Sequence, residues 1–258
     1  MNANRDRLLS LSTCFAAVVG IASAIPACAA NVESEPQSSS EAVQSNAAWN
    51  LSGWELQLPI GSPGDPKLVE DPTSFSDDYF YVDSTGALTF MDPRTGVTTS
   101  GSLHPRSELR ETTGNWSATG TNTMTGTVAI TKVPSTVTIA QIFQAPDAPS
   151  KPLLELQYLA SGKVQVFIES TNEGGGGPSY GVGTVEAGAK FEYTLSLSDD
   201  KIAVTINGKE SSFSLPSSFH GEKFYFKWGD YDQTATSGAT STVPGTIVKY
   251  YAHSVSHS

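Results

Sequence analysis

From Trp49 to the C-terminus the chain breaks into short runs of alternating apolar and polar residues, each closed by a turn signal, and none shows a helical period. That rhythm limits the fold more than any other feature. WELQLPI, YFYV, ALTFM, TMTGTVAITKV, STVTIAQIFQ, LLELQYL, KVQVFIES, FEYTLSLS, KIAVTI, KFYFKWGDY and GTIVKYYAHSVSH all read as strands. Ser62-Pro63-Gly64-Asp65, Asp92-Pro93-Arg94-Thr95-Gly96, the glycines from Gly174 to Gly177 and Asn207-Gly208 punctuate them. The clearest hairpin spans Lys201 to Glu210: Ile202, Val204 and Ile206 alternate with polar neighbours, and Asn207-Gly208 suits the positive φ angles of a type I′ turn. About ten such strands predict an all-β fold, two antiparallel sheets packed as a β-jelly-roll sandwich. One domain over residues 48–258 accommodates them.

The front of the chain follows other rules. Arg5 and Arg7 precede the apolar stretch LLSLSTCFAAVVGIASAI, and small residues ending in PACAA follow, so residues 1–30 have the layout of a secretory signal peptide. A secreted, extracellular protein is expected. Cys28, after Ile25-Pro26-Ala27, resembles a lipoprotein cleavage box and offers a lipid anchor as the alternative. Both cysteines, Cys14 and Cys28, lie in this leader, so cleavage after Ala30 leaves an exported fold without disulfides. Residues 31–47 are Ser-rich and nearly devoid of large apolar groups, which predicts a disordered linker. Removing Arg5, Arg7 and Asp6 leaves 13 basic against 25 acidic residues. Nucleic acid and membrane surfaces select broad positive potential, so neither is the expected partner. A monomer is the expected state.

HPRSELRE, residues 104–111, packs three positive or protonatable side chains and two carboxylates into eight positions. In an extended chain Arg106, Glu108 and Arg110 share one face while Ser107 and Leu109 take the other. An exposed ion-pair ladder would look the same. In EKFYFKWGDYDQ, alternation puts Tyr225, Lys227, Gly229, Tyr231 and Gln233 on one face and Phe224, Phe226 and Trp228 in the core. By the same rule Gln141 and Phe143 share a face with Ile139, opposite Ile142.

Taken together and in order, HPRSELRE, QIF and YFKWGDYDQ resemble the signature blocks of the alginate lyases of polysaccharide lyase family 7, which run R-S/T-E-L/V-R, Q-I/V-H and Y-F-K-x-G-x-Y-x-Q. WNLSGWELQLPIG and KYYAHSVSHS resemble that family's first and last strands. The resemblance implies a concanavalin-like jelly roll with a groove across one sheet. It implies cleavage of an anionic polysaccharide, a polyuronate, by β-elimination with no metal or organic cofactor. Carried onto this chain, Arg106 and Arg110 bind substrate carboxylates, Glu108 holds the arginines, Gln141 hydrogen-bonds the carboxylate of the reacting sugar, Lys227 lines the groove and Tyr231 transfers the proton. Tyr225 and Gln233 flank them as substrate-binding candidates. Phe143 departs from the pattern by standing where the family has histidine, and His104 is the nearest replacement in sequence. A fainter resemblance, to glucuronan lyases, leaves glucuronan as an alternative substrate.

Elimination requires loss of the C5 proton, stabilisation of the charge that builds on the carboxylate, and a proton for O4. Guanidinium groups and amide donors suit the second demand. Tyr231, beside Arg and Lys, is expected to ionise readily and to serve as base and then acid. One such residue suffices only where the C5 proton and O4 share a face of the ring, as in mannuronate and glucuronate but not guluronate. Mannuronate-rich alginate is therefore the expected substrate. Two other classes compete: a non-catalytic carbohydrate-binding jelly roll, and a glycoside hydrolase, which would need two carboxylates across the groove. Glu108 is a poor acid between arginines, and spacing singles out neither Glu155 nor Glu169.

Overall fold

Alternating strands are stable only when their apolar faces are covered, and here two sheets cover each other. The computed structural model describes residues 49–145 and 151–258; the expected leader, linker and Cys28 lie outside the described residues. In chain order the strands are β1 (Trp54–Ser62), β2 (Asp65–Glu70), β3 (Phe80–Val82), β4 (Leu88–Pro93), β5 (Thr95–Gly96), β6 (Ser107–Glu111), β7 (Trp116–Ser117), β8 (Thr121–Lys132) and β9 (Thr136–Gln144). The second half adds β10 (Pro152–Leu159), β11 (Lys163–Ile168), β12 (Ser179–Thr184), β13 (Phe191–Ser198), β14 (Lys201–Ile206), β15 (Lys209–Ser214), β16 (Lys223–Asp232), β17 (Thr236–Ser237) and β18 (Pro244–His257).

One sheet has nine strands in the order β12-β11-β10-β9-β16-β6-β1-β2, with β7 joined to β16; the other has seven in the order β15-β14-β13-β8-β18-β4-β3. A short parallel pair, β5 with β17, stands apart. Distant segments become neighbours, β9 beside β16 and β8 beside β18, which is the crossover pattern of a jelly roll. The expected fold class holds. Trp228 of β16 packs against Tyr250 of β18 and Phe90 of β4, at ring separations of 4.7 and 5.4 Å, and so ties one sheet to the other. Slipping β6 by one residue would exchange fully buried Leu109 for Glu108, at about 2 kcal/mol for the exposed leucine alone. Register is thereby fixed.

Two features escaped the sequence pattern. The edge strands β2 and β12, DPKLVE and SYGVGT, were not expected, because Pro66 and the glycines of β12 look like turn signals and an edge needs only one partner. In β9, Ala140 pairs with Leu156 and Thr138 with Gln157, leaving one extra residue between them. Ile139 consequently joins the core rather than the face of Gln141, and Thr138 takes the outward position. The Asn207-Gly208 hairpin is as expected, with φ of 48° and 80° and Ile206 paired to Lys209. Gly229 is required by its backbone: φ is 146°, and a Cβ there would meet the Ser107 carbonyl at 2.6 Å.

Candidate active site

The outward face of the nine-stranded sheet gathers the signature residues because β6, β16 and β9 lie side by side. Lys227 pairs with Arg110 on one flank and with Gln141 on the other, Gly229 pairs with Glu108, Tyr225 with Phe143, and Tyr231 with Thr138. Three sequence blocks become one surface. A cleft of about 510 Å³ opens over it, lined among others by Arg106, Glu108, Arg110, Lys227, Phe143 and Tyr225. Four cations line this cleft, the fourth being Lys151, against the carboxylates of Glu55, Asp65 and Glu108. Local charge is thus opposite in sign to the charge of the whole chain.

Glu108 is the anchor. Its Oε2 accepts from Arg106 Nη1 at 2.9 Å and pairs with Lys227 Nζ, while Oε1 accepts from Gln141 Nε2. Burial alone would raise its pKa, but Lys227 and Arg106 more than offset that and hold it below the ordinary carboxylate value. Lys227 is shifted down to about 8, by burial first and by the Arg106 cation second, against the pull of Glu108. Gln141 Oε1 and Arg106 Nε are buried without a hydrogen-bond partner among the described residues. Unspent polar capacity of this kind is what a ligand would satisfy. Arg110 stands apart: its side chain is about 43% exposed, its guanidinium is 3.8 Å from Glu55 and lies over the Tyr225 ring. Glu108 therefore holds Arg106 but not Arg110.

Tyr231 meets Arg106 face-on, the guanidinium carbon lying 3.7 Å from the ring centroid. Its hydroxyl is 3.2 Å from Ser102 Oγ. Ser102 Oγ also donates to the His104 carbonyl at 2.9 Å and accepts from Arg106 Nη2 at 3.0 Å, so it ties the loop to the tyrosine. The resting side chain is a neutral phenol. Burial raises its pKa, and Arg106 and Ser102 only partly offset this, so the expectation of ready ionisation is corrected. The cation sits on the ring face rather than at the oxygen.

His104 lies in the loop before β6, so strand alternation does not position it. Its Nδ1 is 2.6 Å from the Ala235 carbonyl, which can only accept, so Nδ1 carries the proton, and Nε2 has no hydrogen-bond partner among the described residues. The ring is 6.1 Å from that of Tyr231. Phe143 packs on Tyr225 at 5.5 Å and under Lys227 Nζ at 5.2 Å, making an apolar wall where a titratable group would stand. Tyr225 itself is pushed up to about 12 by burial. Gln233 turns toward β9 and donates to Thr138 Oγ1 at 3.0 Å.

Sequence reasoning missed Ser102, whose only signal is proximity to Arg106. It also passed over Glu155, which pairs across strands with Gln141, and Gln157 beside it. Glu169, the other acid considered, bonds the Gly176 amide and serves the loop there.

The family model described as alginate lyase matches residues 49–257. Among solved structures, a substrate complex of a variant of the family 7 alginate lyase A1-II' is 31% identical, with a TM-score of 0.73 over 83% of this chain and 96% of that one. Alginate lyase PA1167 from Pseudomonas aeruginosa is 28% identical, with a TM-score of 0.72 over 81% and 100% of the two chains. The alginate lyase from Corynebacterium sp. is 30% identical, with a TM-score of 0.67 over 81% and 95%. No curated protein matches. With the three signature blocks joined on one sheet face and the family model spanning the whole described domain, the chain belongs to the family 7 alginate lyases and is a polysaccharide lyase.

Proposed function

We propose that the protein is a secreted lyase that cleaves alginate at mannuronate by β-elimination, with Tyr231 carrying the proton and His104 as its partner. The observation that carries this reading is the contact of Tyr231 with Arg106 at 3.7 Å, beside His104, where Glu108 holds Arg106 and Lys227 at the cleft. Arg106 and Gln141 take the substrate carboxylate and stabilise the charge that develops on it. His104 Nε2 relieves Tyr231 of its proton, and the phenolate removes the C5 proton. The electron pair forms the C4–C5 double bond as the C4–O4 bond breaks, and Tyr231 passes the proton it has just taken to O4. His104 then returns its own proton to the phenolate. A raised phenol pKa makes the phenolate scarcer but a stronger base.

The Tyr231 and His104 rings are neighbours, 6.1 Å apart, and a single proton-transfer centre there serves a C5 proton and an O4 on one face of the sugar. Mannuronate has that geometry, and so does glucuronate, which keeps glucuronan as the second reading. Guluronate presents the two atoms on opposite faces. Separate incubation with polymannuronate, polyguluronate and glucuronan, following the ultraviolet absorbance of the unsaturated product, tests the assignment. The fastest rise is expected on polymannuronate. A faster rise on polyguluronate defeats the one-sided mechanism. Tyr231→Phe should lower kcat by about 1,000-fold or more without changing the melting temperature.

A further inference from the structure

The sheet face does not end at the cationic cleft. Beyond β16 a row of uncharged donors and one carboxylate crosses three strands, β9 to β11: Gln165 Nε2 donates to Gln157 Oε1 at 2.9 Å, and Gln157 Nε2 to Glu155 Oε2 at 2.8 Å. From the other side Gln233 Nε2 donates to Thr138 Oγ1 at 3.0 Å, and Thr138 Oγ1 to Glu155 Oε2 at 3.1 Å. Both bonds received by Glu155 end on the same oxygen. Its Oε1 has no hydrogen-bond partner among the described residues, and the side chain is half-buried. Among the described residues no salt bridge reaches Glu155 either, although Arg106 is near enough to attract it. The carboxylate is thus held in place through one oxygen and left with the other able to accept from a ligand.

A 1,4-linked uronate chain has two unlike edges. One carries the C5 carboxylate, and the other carries the O2 and O3 hydroxyls, the only free hydroxyls within the chain. The cleft over β6 and β16 suits the first edge. We propose that Glu155 is a specificity-determining residue whose free oxygen accepts hydrogen bonds from the 2,3-diol of a sugar adjoining the one bound at Arg106, so that the enzyme discriminates against chains acylated at O2 or O3. A carboxylate beside a vicinal diol gains two charge-assisted bonds, and acylation removes both donors and adds bulk. Gln157 and Thr138 hold the carboxylate in place for this, and burial keeps its pKa raised despite their bonds and the pull of Arg106. The inference rests on the polyuronate reading of the cleft.

The test compares polymannuronate with the same polymer chemically acetylated at O2 and O3, for wild type, Glu155→Ala and Glu155→Gln. Wild type is expected to show a KM at least about tenfold higher for the acetylated polymer. In Glu155→Ala the KM for plain polymer should rise about tenfold while that for acetylated polymer stays constant, so discrimination collapses. Glu155→Gln, which keeps an acceptor for Gln157 and Thr138, should fall between. Equal discrimination in wild type and Glu155→Ala overturns the proposal. Measuring dissociation constants of plain and acetylated mannuronate oligomers by calorimetry gives the same comparison without turnover. Should wild type cleave nothing, the lyase mechanism fails, while the binding ratio still decides for or against the diol contact.

Discussion

Buried carboxylates lie on both sides of the nine-stranded sheet where β6 and β16 run together, and the two sides handle charge in opposite ways. On the cleft side Glu108 stands alone among Arg106, Lys227 and Gln141. On the core side Asp92, Asp230 and Asp232 are all fully buried, and among the described residues no salt bridge reaches any of them. Hydrogen bonds satisfy them only in part: Asp92 Oδ2 accepts the Asp232 amide at 3.0 Å, Asp230 Oδ2 accepts the Asp92 amide at 3.3 Å and Asp230 Oδ1 accepts from Thr246, while Asp92 Oδ1 and Asp232 Oδ2 have no partner among the described residues. Nor do they form a metal cage, since no His, Cys, Asp or Glu group of three or more is placed to hold an ion among the described residues. Glu108 stays ionised because cations surround it. Asp92 and Asp230 are pushed well above the ordinary carboxylate value, Asp92 by burial and then by its neighbour Asp230, and Asp230 by burial first. The difference teaches that a buried acid stabilises or destabilises according to its company.

The sharpest way to break this comparison is to delete the balanced charge. Glu108→Gln leaves Arg106 and Lys227 as uncompensated cations in a dry site, and losing one partner of a buried pair costs about 3 kcal/mol or more. Urea denaturation should report that loss. Because Gln141 and Arg106 also lose the group that orients them, kcat/KM should fall at least about 100-fold. A stable and active Glu108→Gln protein would mean that the cations are held by something else.

How much of this site was legible before folding depends on where each residue sits. Arg106, Glu108, Lys227 and Tyr231 could be read because plain alternation carries them to one face, and nothing interrupts β6. Ile139 could not, since the extra residue in β9 reverses the parity at that point and only the pairing with β10 reveals it. Ser102 and Glu155 were invisible for another reason. One acts from a loop, and the other gains its meaning from Thr138 and Gln157, which reach it only across strands. Alternation places Asp230 and Asp232 on the core face with Trp228, but the groups that receive them there, Asp92 of β4 and Thr246 of β18, lie far away in the chain. Register and layer contacts are tertiary facts, so they leave no mark on a single strand.

A milder test titrates the balanced cluster. Lys227, at about 8, is charged below that pH and loses its proton above it. The cleft then holds one cation fewer for a substrate carboxylate, so KM should rise by about tenfold from pH 7 to pH 9. Lys227→Arg, whose guanidinium stays charged throughout, should flatten that limb of the profile. A pH-independent KM in the wild-type enzyme would show that Lys227 is not felt by the substrate.

The smallest effect lies on the core side and has the reverse sign. Because Asp92 and Asp230 have raised pKa values in the folded state, the native protein binds more protons than the unfolded chain once pH exceeds the ordinary carboxylate value. Their contribution to stability is therefore complete below that value and is lost as pH rises through the folded pKa. Asn in place of Asp92 keeps an oxygen for the Asp232 amide and removes one charge from the trio, so Asp92→Asn should gain about 1 kcal/mol at neutral pH and less at pH 5. Melting temperatures of wild type and variant, measured across that range, should diverge as pH increases. If Asp92→Asn is instead destabilising by the same amount at every pH, the hydrogen bond geometry outweighs the repulsion, and the two clusters differ in their partners but not in the sign of their energy.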